Sequence, residues 1–234
     1  MNRLIALELK RNSLRSYHIA VAIITVVMLS FIYLLAVLPK LDPTETNLSM
    51  FLTYDNLIIL INILYMVIFT ILSSVMFSKI VVEDYAGKRA ILLFSYPIAR
   101  KKILGAKIVM VFFYTVFAMF LSGGIVLGIF LMTESLFPIC VDQLSRKTVL
   151  SGVLSLVAYS LLSGVWGIVA LYFGFRKQSV SVTIVAAVII ATVMCQMMAI
   201  TMNNVGVIIF LVIGILLAVI TLNNLKKIVM DMEV

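Results

Sequence analysis

Six long stretches of the chain contain no Asp, Glu, Lys or Arg, and this pattern limits the fold more than any other feature. A helix needs about 20 mostly apolar residues to cross about 30 Å of hydrocarbon, and each stretch is long enough. Helices satisfy their own backbone hydrogen bonds, which lipid cannot do. We therefore predict an all-α polytopic membrane protein with spans at about 19–38, 57–78, 108–132, 149–173, 179–201 and 205–223.

The composition agrees with a membrane protein. Of the 234 residues, 64% are hydrophobic and 12% are charged, whereas about 25% of a soluble domain is charged. Cys140 and Cys195 are too few for a disulfide framework and are predicted to be packing residues. The single histidine, His18, is predicted to lie at the membrane interface, and one His cannot build a metal cluster or a catalytic triad. The first apolar run ends without a small-residue cleavage site, so we predict a retained anchor.

The distribution of basic residues predicts the orientation of the spans. Six spans place both termini on one side, and 15 of the 18 Lys and Arg residues fall on that side. We predict that this side is the cytoplasm and that residues 1–234 form one transmembrane domain. Residues 2–16 are predicted to form a surface helix, or else a basic flank that only sets the orientation. The net charge of +8 then reflects topology and lipid headgroups, and no nucleic-acid partner is expected.

The longest charged segment is the loop at 79–107, between the second and third spans. It holds seven basic residues and two acidic ones. Pro97 predicts the end of a short helix, and residues 100–107 are expected to re-enter the membrane as a basic snorkelling collar. An apolar anchor with a charged rim is typical of a docking element, so we predict that the loop receives another protein. A solvated inner loop is the alternative. The predicted apolar side consists of Ile80, Val81, Ile91, Leu92 and Phe94.

The chain lacks the residues of several kinds of chemistry. Gly87-Lys88 is followed by Arg89, and Val82 stands where a P-loop requires Gly, so the chain is predicted not to hydrolyse ATP. The absence of ionisable residues inside the spans disfavours coupling to an ion gradient. We predict that the chain is not an enzyme and binds no metal or cofactor itself. Its energy is then expected from a partner chain.

Small residues spaced four apart recur in the spans and predict close helix packing. Such pairs serve packing within one chain, a subunit interface or a substrate path, and the first of these is favoured. The pairs are Gly124 with Gly128, Ser160 with Gly164, Ser163 with Gly167, and Gly214 with Ala218.

The loop resembles that of membrane permease subunits of ABC exporters of the second class, in the branch that exports peptides, bacteriocins, antibiotics or peptide toxins. The matching pattern is Glu83-x-x-x-Gly87, then Leu92-Leu93-x-Ser95-Tyr96-Pro97-Ile98-x-Arg100, followed by Lys101 and Ile103. Those permeases have six spans, an N-terminal surface helix and both termini inside. A Thr commonly follows the family's Gly, whereas Lys88 stands here.

The resemblance implies partners and a mechanism. Two permease subunits, identical or paralogous, pair in the plasma membrane of a bacterium, and two cytosolic ABC ATPases that bind ATP and Mg²⁺ lie beneath them. Glu83 is implied as the acid at the start of the coupling helix, and Arg100 as the basic residue after the turn. The residues implied in contact with the ATPase are Glu83, Asp84, Gly87, Lys88, Arg89, Leu92, Ser95, Tyr96, Pro97 and Arg100.

Spans 1, 2 and 5 usually line the dimer interface or the cargo path in that family. The matching candidates here are Asn62, Met194, Gln196 and Met197, although the two amides are also expected to bond neighbouring helices and the methionines to serve as packing. A path of this composition suits hydrophobic or amphipathic cargo such as an antimicrobial peptide, a peptide toxin or a lipophilic antibiotic. The alternatives are a gradient-driven carrier or channel, a non-transport membrane scaffold, and an integral-membrane enzyme.

Overall fold

The computed structural model describes residues 2–11, 13–41, 53–86, 99–136, 145–201 and 204–231. Within these ranges every regular element is helical. The helices are α1 (Asn2–Arg11), α2 (Arg15–Leu41), α3 (Tyr54–Phe77), α4 (Arg100–Leu136), α5 (Arg146–Lys177), α6 (Val180–Thr201) and α7 (Asn204–Asp231), and α3 continues into a π-helical turn (Ser78–Val82) and a 3₁₀ turn (Glu83–Tyr85).

The helices α2 to α7 are long and apolar enough to cross a membrane, which confirms the prediction of an all-α, multi-pass membrane protein. Except for α6, which lies within its predicted span, they run past the predicted bounds because a helix does not stop where the hydrocarbon ends. The longest, α4, has 37 residues and therefore a length of about 55 Å, against about 30 Å of hydrocarbon. Its first and last turns reach the headgroup level and carry charged residues.

The helices α3 and α5 form the centre of the bundle. Of the most apolar 18 residues in each helix, 72% are buried in α5 and 56% in the α3 segment, against 22% in α2 and in α6. Among the described helices, α3 and α5 share the most extensive contact, and α5 also packs on α4, α6 and α7. We call the end that carries α1, the π turn and Lys107 the inner end, and the end that carries Tyr54 and Glu134 the outer end.

Glycines on α5 allow its close packing against neighbouring helices. A side chain at Gly167 would collide with Ser73 of α3, and one at Gly174 would collide with Thr183 of α6. These contacts confirm close packing inside one chain. The pair Gly124 and Gly128 of α4 behaves differently, because a Cβ at either position meets open space. The prediction that intramolecular packing is favoured is therefore wrong for that pair.

The surface helix is shorter than predicted. It ends at Arg11, and α2 begins at Arg15, so residues 2–16 do not form one helix. The chain must turn there to pass from the membrane surface into the first span. Ile5 and Leu14 pack against the apolar cluster at the inner end, and α1 lies against α4.

A two-residue link joins α5 to α6. Gln178 adopts the left-handed conformation with φ 48°, and the backbone N–H of Ser179 donates to the carbonyl of Gly174 over 3.1 Å. This arrangement satisfies carbonyls that the end of a helix otherwise leaves open. The chain reverses within two residues, so α5 and α6 are antiparallel neighbours.

Candidate functional site

The loop segment at 79–107 begins inside the bundle. The π and 3₁₀ turns continue α3 to Tyr85, and their apolar residues Ile80, Val81 and Val82 are all buried in the inner cluster. Ile80 and Val81 belong to the core of the bundle because α3 keeps the same buried face for two more turns. Residues 91–94, with which they were predicted to form an apolar side, lie outside the described residues, so that pairing stays a prediction.

A buried ion pair joins the two flanks of this loop. Lys107 of α4 is fully buried, and its Nζ donates to the carboxylate of Asp84 and, over 3.0 Å, to the carbonyl of Ile80. The carboxylate of Glu8 lies 3.7 Å from the same nitrogen. Burying an ammonium is costly unless it is paired and hydrogen-bonded, and these three groups supply that compensation.

The predicted snorkelling collar is therefore correct only in part. Lys101 and Lys102 are exposed, as a collar requires, but Lys107 points into the bundle. The face of α4 that carries Lys107 is turned towards the end of α3, which carries Asp84, and towards α1, which carries Glu8. Only the tertiary contacts distinguish this lysine from its neighbours.

The N-terminal helix takes part in the same network. Arg11 donates to the Oδ2 atom of Asp84 over 2.7 Å and lies 3.7 Å from the carboxylate of Glu8. Asp84 thus faces two cations, one fully buried and one about half exposed. We call Glu8, Arg11, Asp84 and Lys107 the inner charge cluster. It joins α1, the end of α3 and the start of α4, and its four formal charges cancel.

An aromatic contact holds the adjacent residue. Tyr85 is buried, its ring centroid lies 5.3 Å from that of Phe175 on α5, and its hydroxyl donates to the carbonyl of Arg100 over 3.5 Å. Glu83 is half-buried on the other side of the turn. Residues 84, 85, 100 and 107 therefore close the loop across both of its ends.

The structure describes three of the ten residues implied in contact with an ATPase. Asp84 is buried inside the charge cluster, whereas Glu83 and Arg100 are half-buried at its edge. Asp84 is thus held by the bundle itself, and Glu83 is the more exposed of the two acids. The remaining seven residues, namely Gly87, Lys88, Arg89, Leu92, Ser95, Tyr96 and Pro97, lie outside the described residues.

The four candidates for the cargo path or dimer interface do not come together. Asn62 is buried in the centre, where its Nδ2 donates to the Oγ of Ser155 over 3.0 Å, as expected for an amide that bonds a neighbouring helix. Met194 is half-buried and packs on the core of the bundle. Gln196 and Met197 are exposed on α6, so they do not bond a neighbour within the described part of the chain.

Two polar groups inside the bundle were not predicted. Ser122 of α4 shares hydrogen bonds with Thr25 of α2 over 2.7 Å and with Tyr65 of α3 over 3.1 Å. At the outer end, Glu134 is buried and accepts from the Tyr54 hydroxyl over 2.8 Å. The third span was predicted to end at about 132, whereas α4 continues to Leu136 and so brings Glu134 into the bundle. For the hydrogen bonds of Ser122, the signal in the sequence was the presence of polar residues within otherwise apolar spans.

Among the residues that the structure describes, no group of three or more His, Cys, Asp and Glu side chains could hold a metal ion. The inner charge cluster contains two acids, and both are engaged by lysine and arginine. Its chemistry is that of a structural joint between helices.

One relative is similar along most of the chain. The uncharacterized protein YcbO of Bacillus subtilis (strain 168) is 25% identical over 187 residues, which cover 80% of this chain and 80% of that protein. No family model matches the chain. No solved structure matches it significantly. The name of the relative states no activity, so it adds no function to the inner end.

Proposed function

We propose that the chain is the membrane subunit of an ATP-driven ABC exporter in a bacterial plasma membrane. The observation that carries the proposal is the closure of the 79–107 loop by buried contacts. The ion pair of Asp84 with Lys107 and the contact of Tyr85 with Phe175 tie its two flanks to α3, α4 and α5. A force on such a loop is transmitted to three helices, as a coupling element between a membrane bundle and an ATPase requires.

The absence of a P-loop assigns ATP and Mg²⁺ to a separate cytosolic ATPase. Glu83 and Arg100 lie where the loop leaves and re-enters the bundle, and they are the proposed contacts with that partner. A second permease subunit, identical or paralogous, completes the exporter. The exposed part of α6 around Gln196 and Met197 is its proposed interface or cargo surface.

The cargo is proposed to be hydrophobic or amphipathic, such as an antimicrobial peptide, a peptide toxin or a lipophilic antibiotic. The exposed large apolar side chains of α6 are Val and Ile residues together with Met197, and polar residues such as Thr192 and Gln196 lie among them. Methionine adapts its shape to different apolar partners, which suits a surface that receives varied cargo.

The position of the buried charges favours this function over a gradient-driven carrier. Lys107 and Glu134 stand at opposite ends of α4, about 40 Å apart along the helix, so both lie near headgroup level. The buried polar side chains described between these two levels are uncharged; they include hydroxyls, the amide of Asn62 and the indole of Trp166. Ion-coupled carriers usually carry ionisable side chains within the hydrocarbon.

The test begins with the tagged chain in its native membrane. We expect a P-loop ATPase to co-purify in mild detergent, and Glu83→Ala or Arg100→Ala to reduce the amount retained by at least about tenfold, the equivalent of 1.4 kcal/mol. Asp231→Ala is the matched control, because Asp231 is an exposed acid at the same end of the bundle. A chain that never retains an ATPase would refute the proposal.

Transport provides the second arm of the test. Proteoliposomes that contain the chain and its ATPase should move an amphipathic peptide only when ATP is supplied. Flux through the chain alone, without ATP, would instead identify a carrier or channel. Transport that is unchanged by Glu83→Ala or Arg100→Ala would be evidence against the proposed coupling contacts.

A further inference from the structure

The winding of the chain changes twice where α3 ends. The backbone N–H of Glu83 donates to the carbonyl of Ser78, five residues back, as in a π-helix. The N–H of Ala86 then donates to the carbonyl of Glu83, three residues back, as in a 3₁₀-helix. A π turn accommodates one residue more than an α turn, and single π turns occur often at functional sites.

The ammonium of Lys107 is seated in this turn. Its Nζ donates to the carbonyl of Ile80, in the middle of the π segment, over 3.0 Å. In an uninterrupted α-helix that carbonyl would pair with the backbone N–H of Asp84. The same ammonium also binds the side chain of Asp84, so it contacts the turn at two points separated by one helical turn.

We propose that Lys107 is a positioning residue that holds the end of α3 in its π form and thereby sets the side of the inner end on which Glu83 and Ala86 lie. Conversion of the π turn to an α turn would rotate everything that follows by one residue, or about 100°. That rotation would carry Glu83 and Ala86 to a different side of the inner end. Lys107 opposes it by binding the Ile80 carbonyl in the π turn and the Asp84 carboxylate in the 3₁₀ turn that follows.

The N-terminal helix completes the arrangement. Glu8 lies 3.7 Å from the Lys107 Nζ, and Arg11 binds Asp84 over 2.7 Å, so α1 contacts both members of the buried pair. The hold on the π turn therefore depends on α1 being docked. The importance of this orientation for contact with an ATPase rests on the proposed function. The π winding of the turn does not rest on it.

The test is a distance measurement on the full chain in nanodiscs. Cys140 and Cys195 are replaced by serine. Spin labels are attached at Ala86→Cys, directly after the 3₁₀ turn, and at Lys227→Cys, which is exposed on α7. We expect Lys107→Met to shift the distance distribution measured by pulsed electron paramagnetic resonance. Lys102→Met, which removes an exposed lysine from the same helix, should leave it unchanged.

A deletion distinguishes rotation from general loosening. Removing the exposed Lys79 from the Lys107→Met variant deletes the extra residue that the π turn accommodates. The end of an α-wound α3 should then place Ala86 on its original side of the helix, and the wild-type distance should return. A distance that stays shifted or broad after the deletion would overturn the proposal, because it would mean that Lys107→Met only loosens the inner end.

The outcome remains decisive if a variant folds poorly. Lys107→Met keeps the pair between Arg11 and Asp84, and monodisperse elution in size-exclusion chromatography checks its fold. If it fails that check, Asp84→Asn takes its place and should shift the distance in the same direction. An unchanged distance in a folded variant refutes the role of Lys107. If the wild-type chain retains no ATPase, the proposed function is refuted. The distance measurement still tests whether Lys107 holds the π turn.

Discussion

Asp84 and Arg11 form one ion pair, yet their different burial predicts that the two side chains contribute unequally to the stability of the fold. The Asp84 side chain is almost fully buried beside Lys107, whereas the Arg11 side chain is 52% exposed. Pairs at the protein surface contribute about 0–1 kcal/mol. Loss of one partner from a buried pair costs about 3–5 kcal/mol, because the other charge is left without compensation.

We therefore expect Asp84→Ala to lower the free energy of unfolding by about 3 kcal/mol, since Lys107 would keep only the Ile80 carbonyl and the more distant carboxylate of Glu8. Arg11→Ala should lower it by less than about 1 kcal/mol. Reversible denaturation in mixed micelles measures both values. Equal losses in the two variants would show that Lys107 is not buried as described.

The hydrogen bond between Asn62 and Ser155 permits a second test at this scale. In membrane proteins such bonds contribute about 0.6 kcal/mol on average and at most about 1.7 kcal/mol. A double-mutant cycle with Asn62→Ala and Ser155→Ala should give a coupling energy in this range. Ser151 bonds only a carbonyl of its own helix, so a cycle of Asn62→Ala with Ser151→Ala should give none. Coupling in the control cycle would contradict the assignment.

At the scale of the elements, the interface between α3 and α5 depends on the absence of one side chain. Gly167 faces Ser73, and the Ser73 hydroxyl has no hydrogen-bond partner among the described residues. At this point the two helices are therefore in contact through packing, without a hydrogen bond from Ser73 among the described residues.

Gly167→Ala should lower the free energy of unfolding by about 1–3 kcal/mol through overpacking. Ser73→Ala in the same chain should recover part of that loss, because it removes the atom nearest to the new methyl group. Gly128→Ala is the matched control, since open space surrounds that position, and it should cause no loss. Thermal unfolding in detergent checks all three variants. A loss in Gly128→Ala equal to that in Gly167→Ala would contradict this packing.

The elements also show how far the sequence predicts this molecule. Hydropathy predicts the six spans because crossing hydrocarbon requires an apolar run of set length. It does not predict that α3 continues to Tyr85 or that α4 begins at Arg100 and ends at Leu136, since charged turns beyond the hydrocarbon remain helical when they pack. The burial of Lys107 also escapes prediction. Lys102 has the same charge in the same collar, and only α1 and α3 select one of them.

At the scale of the whole molecule, the bundle presents charge asymmetrically. Lys79 is exposed at the inner end of the α3 segment, and Asp55 is exposed at its outer end. The excess of Lys and Arg at the inner end predicts that this end faces the cytoplasm.

A membrane-impermeant maleimide should label Lys79→Cys only after the cytoplasmic side is opened, whereas it should label Asp55→Cys in intact cells. Both variants are made with Cys140 and Cys195 replaced by serine. The physical reason is that the two positions are separated by the full length of one spanning helix. Labelling of both variants from the same side would contradict the six-span topology.

The inner charge cluster also has a consequence for how the protein is made. Chains are synthesised from the N-terminus, so Glu8 and Asp84 emerge before Lys107. When α4 enters the membrane, the acids that neutralise its buried lysine have therefore already been made. The acidic members of the inner charge cluster, on the N-terminal helix and at the end of α3, are thus synthesised before the lysine that later joins them. A chain that lacked its first eleven residues would insert α4 with one counter-ion of two.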